Sequence, residues 1–594
     1  MKDKPKLSLL VSVIFISMGL AVSSSIAAGN FTHLRKGSYN VLFSPEDSSR
    51  NQDAFPTLQT ASTLSSTEIT SATEVTEEIE ALARGLMYDK RLIFKFVRNH
   101  IDYTHYYGCK KGATLTLLER SGNDFDQSAL LIALLRASGY AAEFQKGRMK
   151  IPTSEMISWL GISDVDALGT HISSGGSPNT LRYIDVEGNI LDFEFPRVWV
   201  VLADGEVNYK LDPAFKRYEE ISGFNDIAAT IGYNQTSFIG DAGGTTDTSW
   251  VKGLVFDEVS RNLGAYAENL IHHIATNANG ASVEQVVSGR KIIQKEFDVL
   301  PTELSFPIVE AVQTWSEIPG SHGLTLRIEM GPINDEETEV DGETKIVRVF
   351  NVEVDERIFF ADLGGRRLSL TFSENRGVIS LDGIPIFEES GDPEEGKLGL
   401  RFSVTHPSFL GTYEYPYESY DRNGIYSIIY AFSPHKASVE ARQQKLAAYL
   451  RHDPSGESPE VIAETLNVMG VSWMWQTHLA NRIIDQLFDV TTISHHRFGR
   501  TGQEAGFYID VGYQLFGPLS KTQDPAAPSL VFRLNAYFQS ALEHSIIEQL
   551  QGAEYEAAST IKLLYEANEL NQKIFLADKD NWSSIKAQWG GVVA

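Results

Sequence analysis

Cysteine is almost absent from the sequence: Cys109 is the single cysteine among 594 residues. An intrachain disulfide is therefore excluded, as are structural zinc sites that need pairs of cysteines. Positive charge is also scarce, because 51 lysines and arginines stand against 78 aspartates and glutamates, for a net charge of −27. A chain this acidic argues against nucleic acid and anionic lipid as partners.

Long apolar runs are missing except near the N-terminus. Three lysines within residues 1–6 precede an apolar run over 7–22, and small residues follow as far as 28. This order is typical of a secretory signal peptide over 1–28; the alternative is an uncleaved anchor. We expect an exported protein, either periplasmic or extracellular, with association with the cell surface as a further alternative, and with no stable membrane span once the signal is cleaved.

The length and the changes of pattern predict several domains. Serine and threonine dominate the segment before residue 76, helical periodicity follows, and short alternating strands occupy the middle of the chain. We predict an α+β multidomain protein: linker 29–75, first domain 76–220 with an insertion at 149–189, helical connector 221–306, β-sandwich 307–433 and a mostly helical, mixed α/β region 434–594.

The most regular stretch is 121–140, in which leucines recur every four residues with alanines between them, before Gly139. This spacing predicts a helix buried against a sheet. We predict Asp124 as its N-cap and Gln127 as the third helical residue of a capping box. A carboxylate would then lie at the positive end of the helix dipole, where negative charge is favoured.

A β-hairpin is predicted around the Asp-Gly pair at 204–205, a sequence typical of two-residue turns. With that turn, Arg197 lies opposite Asp212 and Trp199 lies opposite Lys210. Arg197 and Asp212 are therefore expected side by side on one face of the hairpin.

Together these segments resemble the transglutaminase-like superfamily, whose fold is related to papain. That family has a G-x-C-x-[DE]-x-A motif before a helix ending L-L-R-A-x-G, and this chain has GNDFDQS at 122–128 and LLRASG at 134–139. The family's H-x-W-V strand and L-D-P strand end correspond to RVWV at 197–200 and LDP at 211–213. The resemblance covers about 89–218. The stretch GNDFDQSALLIALLRASG within it is similar to the variant of this family in large exported bacterial proteins, some associated with Rhs/YD repeats.

The resemblance implies a cysteine nucleophile, a histidine that carries the proton and an aspartate that orients it. The matching positions here hold Asp124, Arg197 and Asp212. A carboxylate attacks amides poorly, and arginine keeps its proton, so a triad of this kind is expected to be inactive. The hypothesis is a charge network of these three residues that keeps an anion and a cation face to face.

Three functional readings follow. The first is a non-catalytic member that acts as a binding or structural module for a protein or peptide, with Asp126, Trp199 and Tyr209 as candidate binding residues. The second is an active peptidase or amidotransferase with an unconventional nucleophile such as Cys109. The third is a carboxylate-based hydrolase of envelope polysaccharide that uses Asp124 and Asp126. No cofactor and no metal site is predicted.

Other candidates have simpler explanations. His544 and Glu548 are spaced for a shared metal, but no third ligand accompanies them, which favours an exposed helix face. Adjacent histidines occur at 272–273 and 495–496. The two side chains of each pair point in different directions, so neither pair indicates a metal site. The tyrosine-rich run 412–420 could stack on sugar rings, although an edge segment that packs on the sandwich is the preferred interpretation.

Overall fold

The computed structural model describes residues 68–588, apart from 225, 248, 311, 341–342, 391–395, 505, 552–558 and 576–580. The predicted signal peptide and most of the predicted linker lie outside the described residues. The protein is mixed α/β and multidomain-like, with antiparallel sheets. Across the described residues, we find no helix whose length and apolar character would let it cross a membrane.

The helices vary from five to 29 residues in length. In chain order they are α1 Glu77–Gly85, α2 Lys90–His100, α3 Gly112–Glu119, α4 Asp124–Ala137, α5 Thr153–Leu160, α6 Val165–Ser174, α7 Ile227–Ile231, α8 Gln235–Ala242, α9 Phe256–Asn277, α10 Val283–Val287, α11 Lys436–His452, α12 Pro459–Leu487, α13 Ala527–Gln551, α14 Thr560–Glu569 and α15 Trp582–Gln588.

The strands are shorter on average. In chain order they are β1 Glu68–Ile69, β2 Asp102–Tyr103, β3 Ser121–Gly122, β4 Ala141–Pro152, β5 Leu181–Ile184, β6 Ile190–Asp204, β7 Val207–Leu211, β8 Tyr218–Ile221, β9 Thr245–Thr246, β10 Trp250–Lys252, β11 Gly289–Ile292, β12 Gln313–Trp315, β13 Ile318–Pro319, β14 Thr325–Val340, β15 Glu343–Phe350, β16 Val354–Phe359, β17 Leu368–Ser373, β18 Arg376–Leu381, β19 Ile384–Glu388, β20 Lys397–Thr405, β21 Thr412–Glu414, β22 Glu418–Tyr420, β23 Ile425–Tyr430, β24 Val490–Gln503, β25 Phe507–Ser520 and β26 Ile574–Phe575.

The chain divides into two compact units. Among the described residues, the smaller unit comprises Ser222–Gly289 and the chain from Arg533 onward, and the larger unit comprises everything else. The smaller unit contains helices α7 to α10, which lie within the predicted connector, and a three-stranded sheet in the order β26-β10-β9.

Helix α4 is the centre of one core of the larger unit. It packs on a five-stranded sheet in the order β12-β4-β6-β5, with β7 paired to β6, and α1, α2 and α3 also contact it. Residues 124–135 of the helix are all buried. Gly139 follows the helix at φ +82°, the left-handed conformation that commonly ends helices. The predicted buried helix and its stop are confirmed.

The insertion predicted at 149–189 contains helices α5 and α6. It does not begin where the prediction placed it, because β4 continues without interruption to Pro152 and pairs with β6 along its whole length. The start of the predicted insertion therefore lies inside a strand.

Two six-stranded sheets of the larger unit share a second core. One has the order β15-β14-β20-β21, with β16 and β22 paired off that path, and the other has the order β19-β18-β17-β23-β24-β25. Both sheets contribute to one buried cluster, represented by Ile328, Phe402, Leu370, Ile428 and Phe498. Strands β24 and β25 come from beyond residue 433, so the second sheet extends past the predicted boundary.

Candidate functional site

Asn123, not Asp124, caps helix α4. The Asn123 Oδ1 accepts a hydrogen bond from the backbone N of Asp126 at 3.0 Å, and Asp124 is the first residue of the helix. The predicted capping box is therefore wrong by one residue, because asparagine and aspartate cap equally well and the spacing does not separate them. Gln127 instead donates to the backbone O of Gly122 at 2.7 Å.

The hairpin between β6 and β7 turns at Gly205-Glu206, one residue later than predicted. Gly205 takes the first loop position with φ +64°, as glycine does in type II′ turns. Lys210 consequently lies opposite Val201 rather than opposite Trp199, so the predicted register is wrong by two residues. Since side chains alternate with a period of two, this shift leaves every residue on its predicted face.

The structure brings Asp124, Arg197 and Asp212 together. The Arg197 Nη2 donates to Oδ1 and Oδ2 of Asp212 at 3.0 and 3.1 Å. The Arg197 Nε lies 3.3 Å from Asp124 Oδ2, and the same oxygen accepts a hydrogen bond from the backbone N of Val198 at 2.7 Å. Asp212 Oδ1 also accepts from the backbone N of Ala214 at 3.0 Å. Both carboxylates are thus held by donors.

This network is buried, with Asp124 5% and Arg197 1% exposed. Burial raises the pKa of Asp124, and Arg197 opposes that rise. Burial also lowers the pKa of Arg197, but Asp212 and Asp124 outweigh it and leave this pKa above its ordinary value. The Val198 hydrogen bond and the neighbouring guanidinium both favour the carboxylate form of Asp124, so we treat the pair as ionised.

The inner side of Arg197 faces an aromatic layer. Its guanidinium carbon lies 4.3 Å from the ring centre of Trp159, whose own ring centre is 4.3 Å from that of Tyr103. The Tyr103 hydroxyl is 3.1 Å from His105 Nδ1. Among the described residues, Arg197 Nη1 and Nε are buried without a hydrogen-bond partner of good geometry, so the 3.3 Å contact of Nε with Asp124 is an ion pair. The Arg197 guanidinium has only N–H donors and no acceptor, so it cannot take up a proton.

Asp126 and Cys109 belong to a separate buried cluster. Asp126 is fully buried and Oδ1 accepts hydrogen bonds from the backbone N atoms of residues 110, 111 and 112 at 3.0–3.1 Å. Tyr106 donates to its Oδ2 at 2.7 Å, and the Cys109 Sγ donates to its Oδ1 at 3.3 Å. Burial and then Asp126 raise the pKa of the Cys109 thiol well above its ordinary value. Such a thiol is a poor nucleophile.

The other two predicted binding residues differ in exposure. Trp199 is fully buried and donates from Nε1 to Gln145 Oε1 at 3.1 Å, so its ring does not face solvent. Tyr209 is partly buried and packs against the core around α4, with the Lys90 ammonium 5.1 Å from its ring centre.

Sequence reasoning missed Lys146 and His322, which lie near Asp124. Lys146 Nζ is 2.7 Å from His322 Nε2, and Lys146 pairs with Val198 in the ladder between β4 and β6. Burial lowers the pKa of Lys146, while Asp124 raises it. The sequence carries no motif at either position; a prediction that paired β4 with β6 would have placed Lys146 beside the site.

The histidine candidates occupy structural positions. His496 is buried and its two ring nitrogens lie 2.9 Å from His406 Nε2 and 2.5 Å from the Tyr415 hydroxyl. His544 Nδ1 lies 2.6 Å from Ser559 Oγ. In the described portions of the chain, no group of three or more His, Cys, Asp or Glu side chains could hold a metal ion. Tyr415 and Tyr420 of the tyrosine-rich run are buried in the core shared by the two sheets.

Comparison of the chain with protein-family models, with curated proteins and with solved structures finds no match.

Proposed function

We propose that this chain is an exported, non-catalytic protein of the transglutaminase-like type that acts as a binding or structural module. The observation that carries the proposal is the buried network of Asp124, Arg197 and Asp212. Asp124 is buried, accepts a hydrogen bond from the backbone N of Val198 and faces the Arg197 guanidinium, and a carboxylate is a poor nucleophile toward an amide carbonyl. The guanidinium beside it holds its proton at any accessible pH.

The chemistry of the family's reaction explains why these replacements abolish it. Acyl transfer needs a nucleophile that forms a covalent intermediate and a base that removes and returns a proton. Asp124 and Arg197 keep the charges of a thiolate–imidazolium pair but supply neither function. The helix on its sheet, the hairpin and the two sheets with one core support a papain-like domain followed by a β-sandwich.

The two enzymatic alternatives receive less support. Cys109 would need an accessible thiolate, yet its sulfur is buried and donates to Asp126. Asp126 would need to reach a glycosidic oxygen, yet five donors from residues 106–112 surround it. Both groups are better explained as parts of a loop anchor.

The test uses the purified mature chain, residues 29–594, with glutamine-containing peptides and an amine acceptor, followed by mass spectrometry. We expect neither crosslinking nor deamidation above the rate of a blank. A thiol probe under native conditions is expected to leave Cys109 unmodified and to label it after denaturation. The paired substitution Asp124→Cys with Arg197→His would restore the residue types of the family.

Activity of the unaltered chain that disappears in Asp124→Asn or Arg197→Lys would overturn the proposal. As a matched control we choose Arg217→Gln, which removes a surface ion pair with Glu155 (2.5 Å) and leaves the network intact. Activity that survives Asp124→Asn but disappears in Cys109→Ser would support the second reading instead.

A further inference from the structure

A half-buried polar and aromatic cluster lies next to the Asp124 network, and the resemblance does not account for it. We call it the Lys146 cluster, and it comprises Lys146, His322, Tyr107 and Trp315. Lys146 Nζ is 2.7 Å from His322 Nε2, and the ammonium lies 5.8 and 5.7 Å from the ring centres of Tyr107 and Trp315. The ring centres of His322 and Trp315 are 4.8 Å apart.

Three elements position the cluster. Lys146 is on β4 opposite Val198, on the face of the sheet that packs against helix α4. His322 ends a short 3₁₀ helix that follows β13, and its ring centre lies 5.8 Å from that of Phe125 in the first turn of α4. Trp315 is on β12, the edge strand of the sheet. The cluster therefore lies where the sheet edge meets the N-terminus of the buried helix.

The charge of Lys146 is not matched by a direct carboxylate partner within the described residues. Its ammonium contacts the His322 imidazole, whose own pKa is lowered to about 4 by burial and by Lys146, so His322 is neutral near pH 7. Asp124 and Glu310 act on Lys146 only at longer range. Asp124 already forms an ion pair with Arg197 and accepts a hydrogen bond from the backbone N of Val198.

Two other half-buried lysines of the same sheet differ from Lys146 because each has a carboxylate partner. Lys150, four residues along β4 on the same face, lies 3.3 Å from Asp192, and Lys210 of β7 lies 3.0 Å from Glu303. An ammonium has three donors, and a half-buried one without an acid neighbour gains most from a ligand that brings negative charge.

We propose that the Lys146 cluster binds the carboxylate of an extended peptide, with Trp315 packing against the side chain that precedes the carboxylate. The inference deepens the proposed function, because it names the ligand class that a non-catalytic module of this type would take. A carboxylate suits the ammonium and the Ser321 hydroxyl, which lies 3.1 Å from His322 Nδ1. An extended backbone suits β12, because an edge strand offers unpaired backbone groups.

The experiment titrates the mature chain by calorimetry with three probes. They are acetyl-Phe-Gly with a free carboxylate, its C-terminal amide, and acetyl-Phe-Glu-amide. We expect the free acid to bind and the amide to bind at least about tenfold more weakly, because a charge-assisted hydrogen bond is lost. The third probe distinguishes a terminal carboxylate from a side-chain carboxylate; binding of either acid supports the proposal, and binding of neither overturns it.

Variants locate the site. Lys146→Met keeps the apolar stem and removes the charge, and it is expected to weaken binding of the acid about tenfold or more. Trp315→Leu should weaken all three probes alike. Lys150→Met is the matched control, because Lys150 lies on the same strand and face beside Tyr183, with a ring distance of 4.0 Å. Equal affinity in the Lys146 and Lys150 variants would overturn the proposal.

A measurement on the unaltered chain covers the case in which Lys146→Met does not fold. Affinity for the acid must fall as ionic strength rises, while affinity for the amide stays constant. The absence of this difference contradicts a charge-based site. Binding and catalysis are read separately, so failure of this proposal would leave the absence of amidase activity untouched.

Discussion

At the scale of single residues, Asp124 is surrounded by groups that prefer a negative charge. It lies in the first turn of α4, accepts a hydrogen bond from Val198 and faces the Arg197 guanidinium. Burial of a carboxylate costs free energy, and these interactions offset part of that cost, since the pKa of Asp124 stays above its ordinary value. Removal of the carboxylate should therefore affect stability far more than a surface substitution would.

We predict that Asp124→Gly lowers the free energy of unfolding of the larger unit by about 3–5 kcal/mol, because it leaves a buried cation short of one partner. The missing side chain also leaves a space that the helix N-terminus and Arg197 make attractive to a small anion. Formate should restore part of the lost stability, whereas chloride at the same ionic strength should not. Urea denaturation followed by circular dichroism measures both effects.

The comparison variant for this prediction is Asp166→Asn. Asp166 lies 3.3 Å from Arg182 in a pair whose side chains are 70% and 39% exposed, and such a pair contributes less than about 1 kcal/mol. Equal losses in the two variants would contradict a special role for the buried network. So would an Asp124→Gly chain that responds identically to formate and chloride.

The three members of the network could be chosen from the sequence, but the details of their contacts could not. The resemblance to transglutaminase-like motifs and the predicted hairpin selected Asp124, Arg197 and Asp212, and the structure places these three residues together. The helix cap was misplaced because Asn123 and Asp124 are chemically equivalent caps. Lys146 escaped notice because its position depends on a strand pairing that its own sequence does not reveal.

At the scale of elements, the loop before α3 depends on one carboxylate. Asp126, inside α4, accepts hydrogen bonds from three consecutive backbone N atoms, residues 110–112, and from Tyr106. The same loop contains Cys109, whose backbone N donates to the backbone O of His322 at 2.8 Å. The carboxylate thus replaces regular secondary structure as the partner of these amides.

We predict that Tyr106→Phe destabilises this loop by about 1.5–3 kcal/mol, the usual contribution of a buried hydrogen bond to a charged group. Amide hydrogen exchange at residues 110–112 should accelerate, and Cys109 should become accessible to a thiol probe. Tyr107→Phe is the adjacent control, since the tyrosine hydroxyl that donates to Asp126 belongs to Tyr106. Unchanged exchange in Tyr106→Phe would show that the loop does not depend on this contact.

The hairpin of β6 and β7 was predicted in the wrong register, yet its site residues lie on the predicted face. The turn lies at Gly205-Glu206, so partners along β6 and β7 differ by two residues from the prediction. A shift of one residue would have sent Arg197 to the opposite face. Local sequence selects a turn type only when one arrangement is clearly favoured, and Asp-Gly-Glu permits two arrangements.

At the scale of the whole molecule, distant segments complete one sheet. Strand β23 pairs with β24, although helices α11 and α12 separate them in the chain. The sequence predicted a mostly helical, mixed α/β region after residue 433 but not that its strands join the preceding sheet, because pairing over such a separation leaves no local pattern. The predicted boundary at residue 433 therefore divides a sheet that the structure joins.

The larger unit also buries several basic side chains that have no acid partner at hydrogen-bond distance among the residues that the structure describes. Burial lowers the pKa of Lys110 to about 7, and Lys110 donates to the backbone O of His495 at 2.7 Å. Burial likewise lowers the pKa of His105 to about 4 and that of His495 to about 3. It also lowers the pKa values of three further buried histidines, His171, His406 and His496.

We predict that the larger unit loses stability as pH falls. The folded pKa values lie below the unfolded ones, so the unfolded chain binds more protons. Lys110 contributes to this loss of stability as the pH falls from 10.5 to about 7. The histidines contribute to it below pH 6.5, and His105 does so down to about pH 4. Each group contributes up to about 1.4 kcal/mol per pH unit within its window. Urea titrations at pH 6.5 and 4.5 should differ by more than about 3 kcal/mol.

The buried acid Asp485 acts in the opposite direction and provides the control. Burial raises the pKa of Asp485 to about 7, so its protonation favours the folded chain as pH falls below 7 and offsets about one histidine. Asp485→Asn should therefore steepen the acid-side loss, and His496→Gln should make it shallower by about 1.4 kcal/mol per pH unit at most. Stability that stays constant between pH 6.5 and 4.5 in all three chains would mean that the buried histidines bind protons equally in both states.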